Sequence, residues 1–195
     1  MTVFGLTGPS GAGKTTALRA VESLGGAVFD CDRVYAELLE TSADLLTAIN
    51  TRFPGTVTEG TLDRRALAAA VFGNEAELAA LNAITHPRVA QEVRERLNLA
   101  KTSGAPLACV DAIALFESGL ANLCDETVFI TAPLDTRIVR IMERDGIDRP
   151  YAEARVRAQH PDPWFEERCD HKLVNHFSDS EEFFRHCQEF FRRFL

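Results

Sequence analysis

The chain predicts an α/β fold, a five-stranded parallel sheet covered by helices on both faces. Three observations predict it. Short apolar runs alternate with segments of helical period, the first run leads straight into a glycine-rich turn, and 195 residues suffice for one hydrophobic core. Strands are expected at TVFGLT (2–7), GAVFD (26–30), PLACVDA (106–112), ETVFITA (126–132) and HKLV (171–174). Their apolar character suits a sheet buried on both sides. Helices are expected at 14–24, 32–40, 42–53, 63–71, 75–101, 134–145, 151–159 and 179–194, with Pro87 breaking or kinking the fifth.

The helical stretch from about 33 to 101, between the second and third strands, is expected to form a lobe that receives an acceptor. The basic stretch 137–168 suits a cover over a nucleotide, with a lid at about 140–168. The plainer alternative is that both stretches simply cover the sheet.

Composition narrows the function classes. A net charge of -8 speaks against a general nucleic-acid binder, although a local ring of donors can still hold a phosphorylated small molecule. Five cysteines without a CxxC pair or metal-ligand spacing read as reduced thiols of a cytoplasmic protein. Neither a signal-like N-terminal segment nor an apolar run long enough for a membrane span is expected. Oligomeric state is not encoded in any motif, and a monomer or small homo-oligomer fits.

GPSGAGKT, residues 8–15, fills every fixed position of the phosphate-loop pattern GxxxxGKT/S. A strand enters it and a helix leaves it, which is the context the motif requires. The fold expected is therefore that of a P-loop NTPase, a three-layer α/β/α sandwich. Gly8, Gly11 and Gly13 permit the tight curve, and Ala12, Lys14, Thr15 and Thr16 complete the cradle. Lys14 is expected to reach the β and γ phosphates of ATP, and Thr15 to ligate Mg²⁺. The absence of an NKxD motif argues against a GTPase. Asp111, ending the third strand, either helps to hold Mg²⁺ through water or caps the next turn.

AVFDCDRVY, residues 27–35, sets Asp30 and Asp32 one residue apart at the carboxyl end of the second strand. If the strand persists, i and i+2 side chains share a face. If a helix begins at Asp32, that residue is its N-cap. A kinase acting on an alcohol needs a carboxylate to orient the hydroxyl and take its proton.

These stretches together resemble the dephospho-CoA kinase family. GLTGPSGAGKTT resembles its opening loop, AVFDCDRVYAELL its DAD-containing stretch and GTLDRRALAAAVF its helical-lobe signature. AITHPRV (83–89), LFESGL (115–120) and RIMERDG (140–146) match further segments in the right order. The resemblance implies ATP-dependent phosphorylation of the ribose 3′-hydroxyl of dephospho-CoA, with Asp32 as the base and Asp30 as its neighbour. It also implies a helical CoA-binding lobe and a lid. Arg140 then serves the lid, with Arg144 as a second candidate, and Asn175 lies by the nucleotide. Arg64, His86, Phe116 and Glu117 fall toward the acceptor, although a helix-end pair, a structural hydrogen bond, an apolar anchor and a helix-start charge explain them as well.

The likeness frays at AQHPDPWFEERCD (158–170), where Asp162 occupies the position at which the family pattern has an Arg. An acid there would repel a triphosphate. Ala36, Ile113 and the missing glycine after Asn175 are further departures. They leave two other readings: a P-loop kinase for a nucleoside or other metabolite, or a nucleotide-binding member with impaired transfer.

Overall fold

The computed structural model describes residues 1–195. In chain order the elements are β1 (Thr2–Thr7), α1 (Lys14–Ser23), β2 (Ala27–Asp30), α2 (Cys31–Thr41), α3 (Ala43–Arg52), β3 (Val57–Thr58), β4 (Thr61–Leu62), α4 (Arg64–Val71), α5 (Glu75–Thr102), β5 (Leu107–Asp111), β6 (Glu126–Thr131), α6 (Leu134–Asp145), α7 (Arg149–Arg157), α8 (Asp162–Glu166), β7 (His171–Val174) and α9 (Ser180–Arg192). They divide into two units, residues 1–29 with 97–195, and residues 30–96.

The first unit is built on a five-stranded sheet of order β2-β5-β1-β6-β7. β1 pairs in parallel with β5, Leu6 opposite Asp111, and with β6, Leu6 opposite Val128. The strand that follows β1 in sequence is not its neighbour in the sheet. The order therefore reverses beside β1, and a crevice opens at the carboxyl ends of the strands where the phosphate loop emerges.

Apolar side chains explain why the layers stay together. Phe4, Leu6, Leu107, Val128 and Ile130 of the sheet pack against Ala17, Ala20 and Val21 of α1 and Phe183, Cys187, Phe190 and Phe191 of α9. In α9 these residues recur at i, i+4, i+7 and i+8, one continuous stripe. Phe4 meets the Phe191 and Phe194 rings edge-on at 5.1 and 4.9 Å, and burying such a ring is worth about 2–3 kcal/mol.

The second unit is helical and has its own core of Leu39, Leu45, Leu46, Ile49, Phe53, Leu67 and Leu81. Ser42 caps α3 through the Leu45 amide, and Asp63 caps α4 through the amides of Arg65 and Ala66. Arg96 joins Glu92, one turn back on α5, to Glu37 of α2 at 2.8 Å each.

The expected strands and long helices are present with ends shifted by a residue or two. Three small elements were not expected: the β3–β4 hairpin, α8 and a 3-10 turn at Leu120–Leu123. The hairpin turns on Glu59 and Gly60, both at positive φ (50° and 77°), a two-residue turn that fits strand twist. The expected break at Pro87 does not occur, because α5 runs helically from Glu75 to Thr102. Pro87 and Ala83, the residue whose carbonyl lacks its usual i+4 donor, are both exposed, so solvent can satisfy that carbonyl.

Candidate active site

The phosphate loop owes its shape to three glycines. Gly8, Gly11 and Gly13 take φ of 139°, 78° and 108°, where other residues are strained. Each is also crowded: a Cβ on Gly8 would lie 2.1 Å from the Ile130 carbonyl oxygen, on Gly11 2.6 Å from that of Arg137, and on Gly13 2.4 Å from Asn175 Nδ2. The loop is thus pressed against β6, α6 and the chain after β7. Lys14 folds back to donate to the Gly8 carbonyl at 2.8 Å. α1 starts without a side-chain cap or a first-turn acid, so its leading amides keep their capacity for an anion. Thr15 is exposed at this end of α1. A hydroxyl beside a phosphate cradle suits a hard cation such as Mg²⁺, which takes oxygen donors and shares them with phosphates. No cluster of three His, Cys, Asp or Glu side chains offers a separate metal site.

Four side chains hold the loop from outside. Asn175, 4% exposed, donates Nδ2 to the Ala12 carbonyl at 3.0 Å. Arg140 donates Nη1 to the Gly11 carbonyl at 3.2 Å and Nη2 to Asn175 Oδ1 at 3.5 Å. Gln159 accepts the Ser10 N–H at 3.1 Å and donates to Ser10 Oγ at 3.0 Å. Arg137, 6% exposed, donates Nε to the Ser10 carbonyl at 3.3 Å and pairs with Asp162 at 3.5 Å. Burial pulls the Arg137 guanidinium below its ordinary pKa, and the Asp162 charge opposes that fall. Asp162 in turn accepts the Thr131 hydroxyl at 2.7 Å.

Beyond the loop, Phe116 and Glu117 are docked on the segment after α7. Phe116 meets Trp164 edge-on at 5.7 Å, and Glu117 pairs with His160 at 2.8 Å. His160 itself stacks on Trp164 at 3.9 Å. Arg144, a second lid candidate, is bound by its own neighbour Asp145, which also holds Arg155. One carboxylate thus faces two guanidiniums, and the trio keeps a net positive charge.

In the helical unit, the pair of aspartates divides its labour. The strand ends at Asp30 and α2 begins at Cys31, so the two do not share a strand face and Asp32 is not the N-cap. Asp30 is the cap. Its Oδ1 accepts the amides of Asp32 at 2.9 Å and Arg33 at 3.1 Å. Asp32 lies in the first turn with its side chain exposed. Residues two apart on a helix point away from each other, which is why one caps and the other is left open. Arg64 starts α4, exposed, and its charge acts on Tyr35, whose phenol is nonetheless raised by burial. His86 lies half-buried within α5, not in the turn that its neighbour Pro87 suggested.

Ser10, Arg137 and Gln159 were missed by sequence reasoning. One signal was available for Arg137: with Arg140 and Arg144 it forms an i, i+3, i+7 series, one face of α6. Nothing local marks Gln159, since its partner lies far away in the chain.

Comparisons with known proteins point to one family. A family profile described as dephospho-CoA kinase matches residues 2–180. A dephospho-CoA kinase of Deinococcus radiodurans is 42% identical over 146 residues, 75% of this chain and 70% of that one. One from Corynebacterium diphtheriae is 32% identical over 90% of this chain and 88% of that one. Among solved structures, TT1252 from Thermus thermophilus superposes with a TM-score of 0.82 at 34% identity, covering 100% of this chain and 97% of the other. A shikimate kinase from Bacteroides thetaiotaomicron shares the fold at a TM-score of 0.60 and 15% identity, covering 98% of each chain. With its phosphate loop intact and nearly its whole length matched, the chain belongs to the dephospho-CoA kinase family.

Proposed function

We propose that the protein transfers the γ-phosphoryl group of ATP to the ribose 3′-hydroxyl of dephospho-CoA, giving coenzyme A and ADP, in the cytoplasm. The observation that carries this reading is the braced phosphate loop with its open helix start, in a chain of this family. Lys14 leaves the Gly8 carbonyl for the β and γ phosphates, and the amides of residues 11–16 surround them. Thr15 would hold Mg²⁺ with phosphate oxygens, and the ion would draw charge from the leaving group.

Asp32 is the base in this reading. Its exposed carboxylate accepts the proton of the 3′-hydroxyl as that oxygen bonds to the γ phosphorus and the bond to the β-phosphate oxygen breaks. The proton leaves late in a loose transition state, so the carboxylate need only orient the hydroxyl and be within reach of its proton. Asp30 sets the start of the helix that presents Asp32. Arg140 neutralises charge beside the loop, and Asn175 acts through the loop it braces. Arg64, His86, Phe116 and Glu117 are the acceptor-side residues of this reading, and Phe116 and Glu117 also hold the segment after α7. ADP release on mixing the protein with Mg·ATP should rise when dephospho-CoA is added. No rise from micromolar to millimolar dephospho-CoA would sink the reading, and faster turnover with a nucleoside would replace it with another kinase activity.

A further inference from the structure

We propose that Asp162, Arg137 and Gln159 form a clamp that positions the phosphate loop through Ser10, so that the acid at 162 supports phosphoryl transfer instead of opposing it. This deepens the kinase reading and rests on it only for the turnover measurement. Ser10 is gripped by all three of its polar groups: its carbonyl by Arg137 at 3.3 Å, its N–H and hydroxyl by Gln159 at 3.1 and 3.0 Å. Arg137 and Gln159 come from α6 and from the chain after α7, so the clamp ties the loop to the segment that ends at Trp164.

Asp162 makes the arrangement possible. A guanidinium that is 6% exposed is costly without a counter-charge, and Asp162 is that charge. Thr131 fixes the carboxylate from the end of β6. An acid so paired presents little net negative charge to a triphosphate, and its effect at the loop is geometric. Gly11 strengthens the point, because the backbone of Arg137 already touches it: there is no room for the loop to shift toward α6. Arg137 and Asp162 are therefore positioning residues, acting on phosphates through Ser10 and the amides that follow it.

The clamp and simple repulsion predict opposite signs for Asp162→Asn. If the acid only repels nucleotide, the amide raises kcat and tightens ATP binding. If it holds the clamp, kcat falls roughly tenfold, in line with the cost of slightly misplaced reacting groups, while the ATP Kd changes less than threefold. Asp162→Glu should recover most of the loss, because residue 162 borders a cavity of about 630 Å³ with room for one more methylene. Gln159→Ala, at a half-buried site where folding is not at stake, should show the same fall in kcat. Hydrogen exchange of the amides in residues 10–13 should be faster in Asp162→Asn and Gln159→Ala than in the parent chain. That readout needs no acceptor, so it stands if dephospho-CoA proves not to be the substrate. A rise in kcat, or loop amides that exchange at the parent rate while only the melting temperature falls, would overturn the clamp.

Discussion

The carboxylate of Asp30 accepts the backbone N–H of Asp32 at 2.9 Å, so the first acid of the pair is bound to the chain that carries the second. Substitutions should separate them cleanly. Asp32→Asn removes the proton acceptor and should lower kcat by about 10²-fold or more, with ATP affinity nearly unchanged. Asp30→Asn keeps a good cap and should cost little, whereas Asp30→Ala should lose about 1 kcal/mol of stability. Steady-state kinetics with a melting curve for each variant checks both. If Asp30→Asn is the worse in turnover, the assignment of the base is wrong.

Asn175 and Gly13 predict a second result. Gly13→Ala would set a Cβ 2.4 Å from Asn175 Nδ2 at a φ of 108°, so neither the backbone nor the neighbour can accept it. ATP binding should be lost. Asn175→Asp is subtler, since it replaces a donor facing the Ala12 carbonyl with a second acceptor. Titration calorimetry with ATP should show weakening of about tenfold, against a much larger loss for Gly13→Ala.

Lys14→Ala should damage both halves of the reaction. The ammonium, which rests on the Gly8 carbonyl at 2.8 Å, contacts phosphates in the ground state and the transition state alike. Both ATP affinity and kcat should fall, the latter by 10²-fold or more on the scale of a lost transition-state charge contact. A variant that binds weakly yet turns over normally at saturation would contradict this role.

Legibility in the sequence followed the range of the physics. The phosphate loop was readable because its chemistry is local: three closely spaced glycines, a lysine and a threonine between a strand and a helix. The sheet was readable from its apolar runs. The division between Asp30 and Asp32 depended on whether the strand ended one residue sooner or later, which periodicity does not resolve. The Arg137–Asp162 pair was illegible for another reason. Its partners are 25 residues apart, and each read alone suggests a solvated charge. Only packing that buries one of them turns the acid from a liability into a counter-ion. At Pro87 a break or kink was expected, and the helix is unbroken there because propensity alone does not show that Ala83, whose carbonyl loses its donor, is exposed.

Asp170 gives a pH prediction. Its carboxylate accepts the Thr127 hydroxyl at 2.6 Å and the Thr127 N–H at 2.8 Å, joining the starts of β6 and β7. The Thr127 hydroxyl, then the Thr127 amide, hold its pKa below the usual 3.8. A group depressed on folding stabilises above its unfolded pKa, and that stability fades as pH falls through the folded value. Asp170→Asn should therefore lower the melting temperature at pH 7. Because Asp170 is largely solvent-exposed, the loss should be only about 1 kcal/mol, or roughly 2–4 °C. The gap to the parent chain should narrow below pH 4, and a gap that stays constant down to pH 3 would count against the carboxylate as its source.

A proline inside a helix costs about 3 kcal/mol relative to alanine in a host helix, but the proline also restricts the unfolded chain, which returns about 1 kcal/mol. The exposed position further softens the cost, because Ala83, whose carbonyl loses its donor, is an exposed residue that water can reach. Pro87→Ala should therefore raise stability by about 1–2 kcal/mol, a shift of a few degrees in the melting temperature. His86 precedes the proline on the same helix, so the substitution alters the backbone next to its ring. If that ring serves the acceptor, the stabilised variant should show a higher KM for dephospho-CoA with kcat little altered. A gain in stability with an unchanged KM would mark His86 as a purely structural residue.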